Sequence, residues 1–122
     1  MRSWLSLGIA GMLGVLARHT VQQLVPRHGG LPWGTFIVNV GGTLLVGFVA
    51  AFVVHRLRTP LWVQETITVG FLGGFTTFSA VALETVVLFD RGRYLAAASY
   101  SFGTMMAGIA AVFIGLRLGR LA

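Results

Sequence analysis

Four apolar runs follow one another along the chain with short polar breaks between them: about Trp4 to Leu24, Trp33 to Val54, Trp62 to Phe89 and Tyr94 to Leu118. Runs of this length predict transmembrane helices. The third is too long for one simple span. As a continuous helix, residues 62–89 would reach about 42 Å, against a hydrocarbon core of about 30 Å. Its middle crowds Gly73, Gly74, Thr76 and Thr77, which cost helix stability or compete for backbone hydrogen bonds. The pattern therefore predicts a helix broken near residues 73–77 at the bilayer midplane. Irregular backbone at that depth is tolerated only where it is buried in protein or lines a polar cavity. That makes Gly70 to Ser79, GFLGGFTTFS, the first candidate site, with a tilted, Gly-kinked helix as the alternative.

Composition agrees with a membrane location. The chain has 122 residues, 56% of them hydrophobic and 10% charged, which excludes an ordinary soluble core and predicts a single all-α integral membrane domain over residues 1–122. The 9 basic residues are all arginines and the net charge is +6. In a soluble domain that balance would suggest nucleic acid, but these arginines sit at segment ends, where they anchor to headgroups. There is no cysteine, so disulfides and thiolate metal sites are excluded. Arg2 followed by an apolar stretch resembles a signal peptide. The stretch is Gly-rich and continues into Arg18 and His19 without a small-residue cleavage site, so a retained first helix is expected.

Small residues mark close helix contacts. Gly8, Gly11 and Gly14, with Ala10, give the first helix a thin face, and Thr43 and Gly47 make a small pair in the second. Positions 103, 107, 111, 115 and 119 read Gly, Ala, Ala, Gly, Gly, a smooth stripe on the fourth helix. Tyr100 and Thr104 stand one turn apart beside it, so both hydroxyls are expected on one side. Asn39 lies among apolar residues. An amide in hydrocarbon is costly unless bonded, so it faces either another helix or a polar path. Arg18 either snorkels to the interface or presents charge to a vestibule or a partner helix, and Glu84 is an intramembrane acid expected at such a vestibule. His19 and His28 lack a ligand-like partner and are read as interfacial, as are Gln64 and Glu65.

The polar inventory at membrane depth narrows the chemistry. No lysine sits mid-span, no cluster suits a transition metal, and no Ser/His or Cys/His pair suggests nucleophilic catalysis, so an enzyme is not expected. What remains is neutral donors, Asn39, Thr77, Ser79, Tyr100 and Thr104, with the rings of Phe75 and Phe78. Ring edges carry positive potential, and neutral donors replace hydration without a fixed countercharge. That combination suits an anion that must enter and leave with comparable ease. Carbonyls freed at the break point instead toward a cation. With four spans, Arg2, Arg56, Arg58, Arg117 and Arg120 share one side, against Arg27, Arg91 and Arg93, plus Arg18 if it reaches that face. So weak a bias under the positive-inside rule is compatible with insertion both ways and with oppositely oriented copies pairing about a two-fold axis.

WGTFIVNVGGTLLVG in the second segment, GFLGGFTTFS followed by Glu84 in the third, and the Tyr100/Thr104 pair in the fourth together resemble the CrcB/Fluc family of fluoride channels over nearly the whole chain. The resemblance implies a dual-topology, antiparallel dimer in the cell membrane with two narrow fluoride pores along the subunit interface. It implies a structural sodium ion held between the two broken helices by the backbone carbonyls of Gly73 and Thr76. Phe78, Asn39, Tyr100 and Thr104 match pore-lining positions of the family, with Thr77, Ser79 and Glu84 on the polar track or its vestibule. One position departs: the family commonly places a second phenylalanine three residues after the first, where this chain has Val81. Either a homodimer conducts by a modified path, or a related subunit supplies the missing ring. Two other classes compete with a passive exporter of cytoplasmic fluoride. A small proton-coupled efflux transporter would resemble the chain in size but carries its essential acid in the first helix, where this chain has none. A non-conducting membrane subunit would explain the small-residue rows but not the polar cluster.

Overall fold

The computed structural model describes residues 2–122; the side chain of Arg2 lies outside the described residues, and its assignment to an interface with it. The described chain is helical: α1, Arg2–Leu24; α2, Trp33–Arg56; α3, residues 61–75; α4, Phe78–Asp90; and α5, Tyr94–Leu121. Four spans are long and apolar enough to cross a membrane, Ser3–Leu24, Trp33–Arg56, Leu61–Asp90 (α3 with α4) and Tyr94–Leu121. Prolines punctuate them. Pro26 follows the end of α1, where the residue before a proline is pushed out of the helical region, and Pro32 and Pro60 immediately precede α2 and α3. Within α2 and α3 the turns widen to i→i+5 bonding over Ala50–Arg56 and Thr66–Leu72, so that Leu57 N–H reaches the Phe52 carbonyl at 3.0 Å.

Close backbone approach holds the spans together, as van der Waals packing between membrane helices favours. Gly14 of α1 sits over α3, where an added Cβ would meet the Phe71 carbonyl oxygen and lie 3.0 Å from the Phe75 nitrogen. Gly74 faces the Gly11 backbone in the same crossing, and Gly70 lies against Leu7 and Ala10. The α2–α5 contact is built the same way: Gly47 fits against Val112, and Gly115 against Leu44 and Phe48. The fourth-helix stripe is used unevenly. Ala111, Gly115 and Gly119 are buried, whereas Gly103 has nothing within 4 Å of an added Cβ and borders an apolar cavity of about 260 Å³ with Pro32, Trp33 and Phe36. Gly8 is likewise open, because the α1–α3 crossing engages Leu7, Ala10, Gly11 and Gly14 instead.

Candidate functional site

Between α3 and α4 two residues leave the helical conformation: Thr76 (φ −83°, ψ 155°) and Thr77 (φ −149°, ψ 115°) are extended. Every backbone group freed in this way needs a partner. Thr76 N–H and Oγ1–H both donate to the Leu72 carbonyl at 3.0 Å. Thr77 N–H donates to Asn39 Oδ1 at 2.7 Å, and Asn39 Nδ2 donates to the Thr77 carbonyl at 3.1 Å. The Asn39 amide thus clamps one extended residue of the break through both its backbone groups. Thr77 Oγ1 accepts from Ala80 N–H at 3.2 Å, capping α4 at its third position.

The break takes the carbonyls of residues 73–76 out of the helical ladder, and for Gly73 and Thr76 the lost donors are held by side chains. In a continuous helix Gly73 O would accept from Thr77 N–H and Thr76 O from Ala80 N–H. Both N–H groups are turned to Asn39 and Thr77 side-chain oxygens. Gly73 is exposed and Thr76 half-buried. Carbonyl oxygens are ligands for a hard cation, so this donor set fits such an ion. Among the described residues no group of three His, Asp or Glu side chains could hold a metal.

The candidate residues gather in three places. Asn39, Thr76, Thr77, Phe78 and Thr104 border an open groove of about 500 Å³ between α2, α4 and α5. Val81 lies there too, and Phe78 stands 79% exposed at its edge. Across the buried Thr77, a second cavity of about 500 Å³ brings Arg18, His19 and Gln22 of α1 together with Ser79. Thr77 borders both cavities, and its hydroxyl lies 3.3 Å from that of Ser79.

The third place is Glu84. Tyr100 O–H donates to Glu84 Oε2 at 2.7 Å, and Thr35 Oγ1–H donates to Oε1 at 3.2 Å. Gln22 Nε2 donates to Thr35 Oγ1 at 3.1 Å, and Arg27 Nη2 lies 3.6 Å from Glu84 Oε1. The arginine beside Glu84 is therefore Arg27, while Arg18 serves the cavity of Ser79. Tyr100 and Thr104 are both buried on α5, but their hydroxyls part: Thr104 Oγ1–H donates to the Tyr100 carbonyl at 2.6 Å, and the phenol goes to Glu84. Thr35 and Gln22 carry no role in the sequence reading, and Arg27 enters it only as one of the arginines at a segment end. Thr35 sits in the WGTF stretch four residues before Asn39, so helical spacing puts the two on one face and could have flagged it.

The model of the CrcB-like protein family, Camphor Resistance (CrcB), matches residues 5–116, all but the ends of the chain. The chain belongs to the CrcB family. Among similar proteins, the fluoride-specific ion channel FluC of Nitratidesulfovibrio vulgaris (strain Miyazaki F) is 42% identical over 99% of both chains. FluC of Paracoccus denitrificans is 41% identical over 97% of this chain and 94% of the relative, and FluC 2 of Geobacillus kaustophilus 36% over 92% and 88%. A CrcB chain with four apolar spans is a multi-pass membrane protein of a channel family, not an enzyme.

Proposed function

We propose that the protein is a passive fluoride-selective channel of the cell membrane that lets cytoplasmic fluoride leave. The observation that carries this reading is the full-length similarity to fluoride-specific channels, together with a groove whose polar groups are neutral and whose exposed ring is Phe78. Hydroxyls and ring edges replace part of an anion's hydration without trapping it. Hydrogen fluoride enters cells from acidic surroundings as a neutral molecule and dissociates, so a passive path outward relieves the accumulation.

The working unit is an antiparallel pair of copies. One copy builds one wall: its groove is open, and Phe78 and Gly73 are exposed. With the break of the third helix at the midplane, the carbonyls of Gly73 and Thr76 from both copies hold a sodium ion. The bound ion supplies charge that ties the two breaks together. Asn39, Thr77, Phe78 and Thr104 line the anion path, with Tyr100, Ser79, Arg18 and Glu84 toward its ends. A second reading rests on Val81, which borders the groove and packs against the Leu88, Ala97 and Tyr100 cluster: a related subunit completes the pore.

Phe78→Ile tests the site. It keeps an apolar side chain and removes the ring edge, and fluoride efflux from proteoliposomes should fall about tenfold with an unchanged elution volume. Unaltered efflux would take Phe78 out of the path.

A further inference from the structure

The turn between α1 and α2 is built as a rigid part and placed over Glu84. Gly29 (φ 63°) and Gly30 (φ 76°) take the left-handed conformation that a two-residue turn requires. His28 and Leu31 exchange backbone hydrogen bonds of 3.3 and 3.1 Å across it, and the Trp33 indole N–H donates to the His28 carbonyl at 3.2 Å. Arg27 Nη1 donates to the Gly30 carbonyl at 3.2 Å, which aims Nη2 at Glu84. From the other loop, Arg93 lays its guanidinium against the same glycine, where a Cβ would meet Arg93 Nη1. Two cations on separate loops are thus packed on one fixed turn. A half-exposed pair such as Arg27 and Glu84 stabilises a fold little, so stability alone does not account for the arrangement.

We propose that this turn is an anion-gathering cap, with Arg27 as the positioning residue that offsets the Glu84 carboxylate at that mouth; the inference rests on the channel reading above. Glu84 is only 20% exposed and binds Tyr100 and Thr35, so its negative charge stands where an anion would approach the polar groups. Arg27 is the one cation within 4 Å of it among the described residues. Arg93 adds positive potential at the same turn. The cap acts on encounter, outside the neutral groove, so it attracts the anion without holding it in the narrow part.

The test is fluoride efflux from liposomes carrying the full chain, as wild type, Arg27→Gln and Arg27→Lys, at about 0.01 M and about 1 M ionic strength set with an impermeant salt. The screening length falls from about 30 Å to about 3 Å between these conditions. Losing one charge at contact distance in water should slow Arg27→Gln about fivefold at low ionic strength. At high ionic strength the deficit should shrink below about twofold, and Arg27→Lys should stay close to wild type at both. A deficit that ignores salt, equal impairment of Arg27→Lys, or no deficit would overturn the cap. If the wild type passes no fluoride, alone or with a related subunit, the channel reading falls and the cap with it; if the wild type conducts and Arg27→Gln matches it, the cap alone falls.

Discussion

Asn39→Ala is expected to abolish fluoride efflux and to lower the thermal unfolding midpoint of the detergent-solubilised protein more than any other single polar substitution. The amide makes two bonds to one residue, to Thr77 N–H at 2.7 Å and to its carbonyl at 3.1 Å, at a site where both residues are buried. Truncation leaves a buried donor and a buried acceptor unpaired, at about 1–3 kcal/mol each. It also frees Thr77 N–H to close a helical turn on Gly73, the change that would take a carbonyl from the proposed cation site. Asn39→Asp separates the two bonds: it keeps an acceptor for Thr77 N–H and sets an oxygen against the Thr77 carbonyl. It should be less damaging to the fold than Asn39→Ala and still impaired in efflux. If Asn39→Ala melts within a degree of wild type and conducts normally, the amide does not hold the extended residues.

Gly115→Ala should be the most damaging packing change. The added methyl would meet the Leu44 carbonyl and lie 2.8 Å from the Phe48 nitrogen, both backbone atoms that no rotamer change moves away. α2 and α5 must separate, and the loss spreads over the Gly47 and Gly119 contacts of the same face. Overpacking of this kind costs about 1–3 kcal/mol or more, read as aggregation on size exclusion or a lowered unfolding midpoint. Gly8→Ala is the matched control, since its Cβ meets nothing within 4 Å, and it should stay within about 0.5 kcal/mol of wild type. Equal behaviour of the two variants would remove the close α2–α5 approach from the account.

Much of the fold was legible because membrane spans are written in local composition. Four apolar runs are enough to predict four helices, and a row of small residues announces a close contact. What a row does not say is where along it the neighbour lies, which is why Gly103 and Gly8 share a pattern with buried glycines and stand open. The site was legible residue by residue and not as a set of contacts. Asn39 announces an amide needing a partner, but its partner is the backbone of Thr77, 38 residues away, and backbone carries no sequence signal. Glu84 announces an acid needing company, and Arg18 was the arginine read with it at a vestibule. The turn that carries Arg27 brings it there instead, through left-handed glycines whose long-range consequence only the folded chain shows. Thr35 reaches Glu84 across 49 residues by the same kind of contact between spans.

The central claim is that this chain by itself forms a path for fluoride, and fluoride efflux from liposomes reconstituted with the purified protein alone tests it most directly. With a fluoride-selective electrode outside and a potassium ionophore to balance charge, the account predicts rapid fluoride release and no comparable release of chloride. Rapid chloride flux without a fluoride response would contradict it. Silence relieved only by co-reconstituting a related subunit would move the claim to the pair that Val81 suggests.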